Sequence, residues 1–132
     1  MLFRSVLIHD GDRCLISSEI IESNIKCLNE HGSAVTVIPV IEALFEATDN
    51  VSNKYVPRNN LYRIQTPYSY RLSDLLKMYD EALNKQIDGV NLAPCILMQM
   101  LGHSSHLMDG SEFNFKITTP DDLKLFRIIK KQ

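Results

Sequence analysis

Glycine is scarce in this chain of 132 residues: Gly11, Gly32, Gly89, Gly102 and Gly110 make up the whole set, and no two are clustered. A glycine-rich loop that lays backbone N–H groups against a nucleotide polyphosphate is therefore missing from it. Cysteine is equally sparse. Cys14, Cys27 and Cys95 are odd in number, widely spaced and without a CxxC pair, which excludes a disulfide framework and a zinc ribbon and suits a reducing cytoplasm. No apolar run is long enough to span a bilayer, and Met1-Leu2-Phe3-Arg4-Ser5 lacks the apolar core of a signal peptide. A cytoplasmic protein without membrane attachment is expected. The formal net charge of -2 offers no broad attraction for nucleic acid.

Several catalytic and metal patterns are missing too. Asp10-Gly11-Asp12 does not continue with the spaced oxygen ligands and closing glutamate of a calcium loop. His103-Ser104-Ser105-His106 has no third ligand at zinc spacing. There is neither a GxSxG elbow nor a cysteine with an evident histidine partner.

What remains is ordinary globular composition, 45% hydrophobic and 23% charged, in a length that suits one core. Val6 to His9 reads as a short buried strand that runs into a polar loop, His9 to Arg13. Ser17 and Ser18 offer caps for a helix with Ile21, Ile25 and Leu28 on one face and Gly32 as its stop. Ala34 to Val40 is a second β-branched run. Strand, helix and strand in this order predict a parallel βαβ unit.

From Ala43 to Asn60 the chain turns to Thr, Asp, Asn, Ser and Lys around short apolar pieces, the pattern of an exposed β-arm. Leu61 to Gln65 is predicted to be a strand that Thr66-Pro67 ends, since proline lacks a ladder donor. Ser73 is expected to cap a helix whose Leu75, Leu76, Tyr79 and Leu83 share a face. A further helix spans Asn91 to Leu101 with Pro94 in its first turn, and Ser105 to Met108 reads as a short strand. Thr119-Pro120-Asp121-Asp122 combines a cap, proline at the first helical position and two carboxylates against the dipole, a strong helix start.

Three polar loops are thus expected to follow strands: His9 to Arg13, Thr66 to Tyr70, and Asn114 to Pro120 with Lys116. Arg13, Arg58 and Lys116 are cations suited to a phosphorylated ligand, and Asp10 offers a carboxylate to a divalent cation or a hydroxyl. Each taken singly is an ordinary solvated loop charge. Only their combination argues for a site.

The blocks "VLIHDGDR", "RNNLYRIQTPYSY" and "FNFKITTPDDL", in this order and spacing, resemble the C-terminal half of the methylerythritol 4-phosphate / ribitol 5-phosphate cytidylyltransferase family, whose corresponding blocks read HDxxR, a strand ending in QTP, and N-[IF]-K-[IV]-T-x-P-x-D. The resemblance implies an α/β, Rossmann-like fold of the nucleotide-diphospho-sugar transferase type, with a mixed, mainly parallel sheet, flanking helices and a protruding arm at about 43–60. Residues 1–132 would form a single partial domain whose N-terminal half, carrying the glycine-rich CTP loop, is missing. An apolar face and a sheet edge are then expected to stand open.

It further implies transfer of CMP from CTP to a small polyol phosphate with release of pyrophosphate, Mg2+ as the cofactor, and a homodimer formed through the arm. Carried over by motif, Asp10, Arg13 and Lys116 would be catalytic, with Asp10 also a metal ligand, while Arg58 and Thr66 would bind the acceptor, Arg58 that of the neighbouring subunit.

Ile41-Glu42-Ala43 and Leu92-Ala93 depart from the Arg-Asp-Thr and Thr-Asp stretches of the methylerythritol enzymes, which leaves the acceptor open, and Glu42-Ala43 with the Cys95 helix resembles the wall or capsule polyol-phosphate branch more than the isoprenoid one. Asp12 stands where a small apolar residue is common and is expected to pair with Arg13 and weaken its hold on phosphate. A non-catalytic dimerisation or interaction module derived from the same family is the alternative of a different class.

Overall fold

A computed structural model describes residues 4–89 and 91–131; the opening Met1-Leu2-Phe3 lies outside them. In chain order the elements are β1 (Ser5–Ile8), α1 (Ser18–His31), β2 (Ser33–Pro39), β3 (Leu44–Thr48), β4 (Val51–Val56), β5 (Tyr62–Arg71), α2 (Leu72–Asn84), α3 (Pro94–Met100), β6 (Leu107–Asp109) and α4 (Pro120–Ile129). One mixed sheet, ordered β1-β5-β2-β6, carries flanking helices, and β3-β4 form a separate two-stranded arm. The architecture is α/β, as expected.

The sheet is less parallel than the βαβ reading predicts. β1 and β2 do point the same way, but each pairs antiparallel with β5, which lies between them. Among the described residues only β2 and β6 pair in parallel within this sheet. The crossover through α1 leaves room for one strand between β1 and β2, and the chain fills that gap with β5 after the arm.

β5 also runs on through Thr66-Pro67 instead of ending there. Its register with β2 shifts between Val35, opposite Tyr68, and Val37, opposite Ile64. Three residues, Gln65 to Pro67, therefore face Thr36 alone, and at this bulge the ladder does not call on the N–H that Pro67 lacks. The Pro67 carbonyl accepts instead from the Thr36 hydroxyl at 2.7 Å and from Asn24 Nδ2 at 3.0 Å.

Ser17 caps α1 and Gly32 ends it at φ +83°, a left-handed conformation that suits glycine. The inward face is one residue out of step with the apolar pattern. Ile20, Asn24 and Leu28 are buried while Ile25 is 44% exposed, because Asn24 is held by polar partners on β2 and β5. α2 starts directly from β5 with Arg71 at its cap position and no side-chain cap; Ser73 sits in its first turn and donates to Asp74. Leu75, Met78 and Ala82 face the core, whereas Leu76 and Leu83 are exposed. α3 is shorter than expected, with Ala93 at its cap position and Pro94 at its first residue. The core joins Val35, Val37, Tyr70, Leu75, Met78, Cys95, Leu97 and Leu101.

The arm turns at Asp49-Asn50, both at positive φ, as a tight hairpin requires. Phe45 and Tyr55 meet edge-to-face at 6.4 Å and both are exposed. Among the described residues no helix is long and apolar enough to cross a membrane.

At α4 the expected start is present in full. Thr119 accepts from the Asp122 N–H, and the Asp122 carboxylate accepts from the N–H groups of Thr118 and Thr119 and from the Thr118 hydroxyl. These bonds, led by the Thr118 N–H, hold the Asp122 carboxyl down at about 2, below the usual carboxylate value. A depressed folded-state pKa stabilises above the unfolded value and is lost as pH falls through the folded one. The first turn of α4 is therefore expected to keep its amide protection at pH 5 and lose it as pH falls from about 4 to about 2, which amide hydrogen exchange measures.

Candidate active site

The loop after β1 is a tight turn closed by Arg13 N–H donating to the Asp10 carbonyl at 3.1 Å. A chain of hydrogen bonds fixes it to β5. Asp10 N–H donates to Thr66 Oγ1 at 3.0 Å, Thr66 Oγ1 lies 3.0 Å from His9 Nδ1, and His9 Nε2 lies 3.1 Å from the Arg13 carbonyl. A carbonyl only accepts, so Nε2 carries the proton, and the Thr66 hydroxyl donates to Nδ1.

The loop before α4 meets this turn from the other side. Asn114, fully buried, donates through Nδ2 to the Thr66 carbonyl at 2.8 Å and to Gln65 Oε1 at 3.3 Å. Gln65 in turn donates to the Ser111 carbonyl at 2.9 Å. Ile117 N–H donates to the Asp12 carbonyl at 3.0 Å, joining the two loops. Residues about a hundred positions apart in sequence are thereby locked side by side.

The charges gather on this frame. Arg13 is largely buried, and it donates from Nε to Asp10 Oδ2 at 3.2 Å and from Nη1 to the Asn114 carbonyl at 2.8 Å. Lys116 Nζ stands 3.5 Å from Asp10 Oδ2 and 3.8 Å from Asp12 Oδ2. Asp12 therefore turns to Lys116; the carboxylate on Arg13 is that of Asp10, contrary to the expected Asp12–Arg13 pair. Beside them lies a groove of about 170 Å³, lined among others by Arg13, Gln65, Phe115 and Lys116. A wider groove of about 590 Å³, lined by Arg4, Leu28, Arg71 and Ser73, shares no residue with it and none of these charges.

Of the five residues singled out in the sequence, Asp10, Arg13, Thr66 and Lys116 come together. The Thr66 side chain is fully buried, with its hydroxyl committed to Asp10 and His9, so it holds the turn rather than lining the groove. Arg58 is not brought to this cluster: it lies at the base of the arm, where Nη1 donates to the Ile41 carbonyl. Sequence reading missed His9, Gln65 and Asn114 as supports. The signal was present in HD, QTP and NFK, where each block pairs an amide or imidazole with a charged residue or a turn.

Tyr68, on β5 next to this turn, has its phenol pushed up to about 12, chiefly by burial, and by Cys95 and the Asp10 carboxylate. It stays protonated at neutral pH and is no base there. Among the described residues no group of three or more histidine, cysteine or carboxylate side chains is placed to hold a metal ion. Asp10 and Asp12 supply the oxygen donors at hand, of the kind that would suit a hard divalent cation such as Mg2+.

The family described as "IspD: 2-C-methyl-D-erythritol 4-phosphate cytidylyltransferase" matches residues 3–132. The chain is 40% identical over 124 residues to a ribitol-5-phosphate cytidylyltransferase of Lacticaseibacillus paracasei, covering 92% of this chain and 53% of the relative. It is 36% identical over 119 residues to a 2-C-methyl-D-erythritol 4-phosphate cytidylyltransferase of Alkaliphilus oremlandii, covering 89% of this chain and 50% of that one. The crystal structure of 2-C-methyl-D-erythritol 4-phosphate cytidylyltransferase from Thermus thermophilus superposes with a TM-score of 0.86 at 28% identity, over 98% of this chain and 63% of its own. The chain thus spans about half the length of these two sequence relatives.

Proposed function

The chain belongs to the 2-C-methyl-D-erythritol 4-phosphate cytidylyltransferase family, and on that premise we propose that it supplies the acceptor-phosphate side of a cytidylyltransferase that moves CMP from CTP to a small polyol phosphate. The observation that carries this reading is the convergence of Arg13 and Lys116 on Asp10, held by the Thr66 and Asn114 bonds.

The chemistry asks little else of the protein. A phosphate monoester has its second pKa near ~6, so at neutral pH the acceptor is already mostly the dianion that attacks the α-phosphorus. No general base is required. What is needed is alignment and charge compensation, since two negatively charged phosphates must approach each other. The Arg13 fork, fixed by Asp10 and the Asn114 carbonyl, is the aligning group; the more exposed Lys116 ammonium is the compensating one. Asp10 holds Arg13 and is the residue that would hold a Mg2+, whose chemistry would be to offset phosphate charge.

Triphosphate contacts come from outside this chain's residues, whose glycines are unclustered. The chain alone is accordingly expected not to turn over CTP. The arm, exposed and too short to be stable as an isolated hairpin, is assigned to a second copy, on which Arg58 would reach the acceptor. The acceptor is taken to be ribitol 5-phosphate-like, because Ile41-Glu42-Ala43 replaces the Arg-Asp-Thr of the methylerythritol branch and the Lacticaseibacillus relative is named for ribitol 5-phosphate.

Assayed in the full reading frame cloned from source DNA, Lys116→Ala is expected to lower CMP transfer to ribitol 5-phosphate by about 10²–10³-fold with the fold intact. Turnover equal to the parent would remove the assignment. The DNA upstream of codon one separates the two classes of function: an in-frame glycine-rich segment marks the enzyme, and a start site with nothing before it marks an interaction module.

A further inference from the structure

We infer that Asp12 is a positioning and selectivity residue, which shares Lys116 with Asp10 in the ligand-free protein and makes the site prefer a hydroxyl-bearing phosphate ester to a bare phosphate ion. The inference rests on the function proposed above and adds to it the basis of acceptor choice.

Three observations carry it. First, Lys116 Nζ is held loosely between two carboxylates, at 3.5 Å from Asp10 and 3.8 Å from Asp12, with all three side chains partly exposed. Such pairs are weak and easily exchanged for a better anion. Second, the Ile117 N–H donates to the Asp12 carbonyl, so the backbone that carries Asp12 stays beside the loop that carries Lys116 when a ligand arrives. Third, Asp12 Oδ1 is buried and has no hydrogen-bond partner while Oδ2 faces the lysine. The carboxylate thus has acceptor capacity in hand, one oxygen unpaired and the other tied only to Lys116.

The consequence is electrostatic. Asp10 and Asp12 cancel Arg13 and Lys116 in formal charge, as Glu112 cancels Arg63 along the adjoining groove, so the cluster has no net pull on an anion. A phosphate ion that draws Lys116 toward itself leaves the Asp12 carboxylate uncompensated beside it. A polyol phosphate makes the same demand on Lys116 but also presents O–H donors, and the Asp12 oxygen that Lys116 gives up accepts one. The repulsion is then offset for the ester and unrelieved for inorganic phosphate or pyrophosphate.

The test is calorimetric titration of the chain with ribitol 5-phosphate and with inorganic phosphate, comparing wild type, Asp12→Ala, Asp12→Asn and each in a Lys116→Ala background. Asp12→Ala is expected to tighten inorganic phosphate roughly fivefold, the scale of one partly screened charge, and to tighten ribitol 5-phosphate by less or weaken it. Asp12→Asn, which keeps an acceptor oxygen, should tighten both. In the Lys116→Ala background the gain for inorganic phosphate should disappear, which a merely structural role for Asp12 would not produce. Equal changes for both ligands on Asp12→Ala, or a gain that persists without Lys116, would overturn the inference and leave the proposed function standing. Failure of wild type to bind ribitol 5-phosphate at all would instead remove the proposed function, and Asp12's part in acceptor choice with it.

Discussion

Arg13→Ala is expected to cost at least about 30-fold in affinity for ribitol 5-phosphate, the scale of losing a charge-assisted hydrogen-bonding group at about 2 kcal/mol. The reason lies in what Arg13 already does without ligand. Nε is committed to Asp10 and one Nη1 bond to the Asn114 carbonyl, so the guanidinium plane is set before binding and the remaining donors lose little ordering entropy. Removing it also leaves Asp10 free to take Lys116 fully, so the second cation is drawn from the groove as well. Arg13→Lys is not a rescue: it restores charge but not the planar fork, and is expected to recover only a small part of the loss. Isothermal titration with wild type, Arg13→Ala and Arg13→Lys measures this, and near-wild-type affinity in the alanine variant would rule out Arg13 as the phosphate clamp.

Gly110→Ala is expected to be the most destabilising single substitution in the site's frame. An alanine Cβ there would stand 2.4 Å from Gln65 Oε1, 2.8 Å from Thr36 Cγ2 and 3.2 Å from the Val37 carbonyl. Thr36 cannot yield, since it is fully buried and its hydroxyl is bonded to Pro67 and Asn24. Gln65 can move only by giving up Ser111 and Asn114. Overpacking of this kind costs about 2–3 kcal/mol, a fall of roughly 10 °C in Tm for a domain of this size. Because Gln65 and Asn114 staple the loop that carries Lys116, weaker phosphate-ester binding should accompany the lower melting point. A thermal melt by circular dichroism within about 2 °C of wild type would contradict this account of the loop.

Much of this frame is legible in the residues. The arm at 43–60, the Ser17 and Gly32 boundaries of α1 and the capping box of α4 follow from local chemistry, in which a side chain and a backbone group a few residues apart satisfy each other. The grouping of Asp10, Arg13 and Lys116 is what the family resemblance of three motif blocks implies. What is not legible depends on partners distant in sequence. Periodicity gives the direction of β1 and β2 but does not reveal that β5 enters between them. Proline rules apply to a regular ladder, so Pro67 reads as a strand end until the bulge opposite Thr36 removes the need for its N–H. Asn24 escapes notice because a helix face is sought in apolar residues, while here a buried amide is satisfied by Thr36, Pro67 and Ser69. Thr66 reads as a ligand contact, yet its burial and its bonds to His9 and Asp10 make it the pin of the turn.

The central claim is that the turn His9 to Arg13 and the loop through Lys116 form one phosphate-ester site. Its most direct test is a ¹H–¹⁵N NMR titration of this chain with ribitol 5-phosphate. Saturable shifts are predicted at residues 9–13, 64–66 and 114–118, absent in Arg13→Ala. Saturable shifts centred instead on Arg4, Arg71 and Ser73, or shifts at the turn that survive Arg13→Ala unchanged, would contradict it.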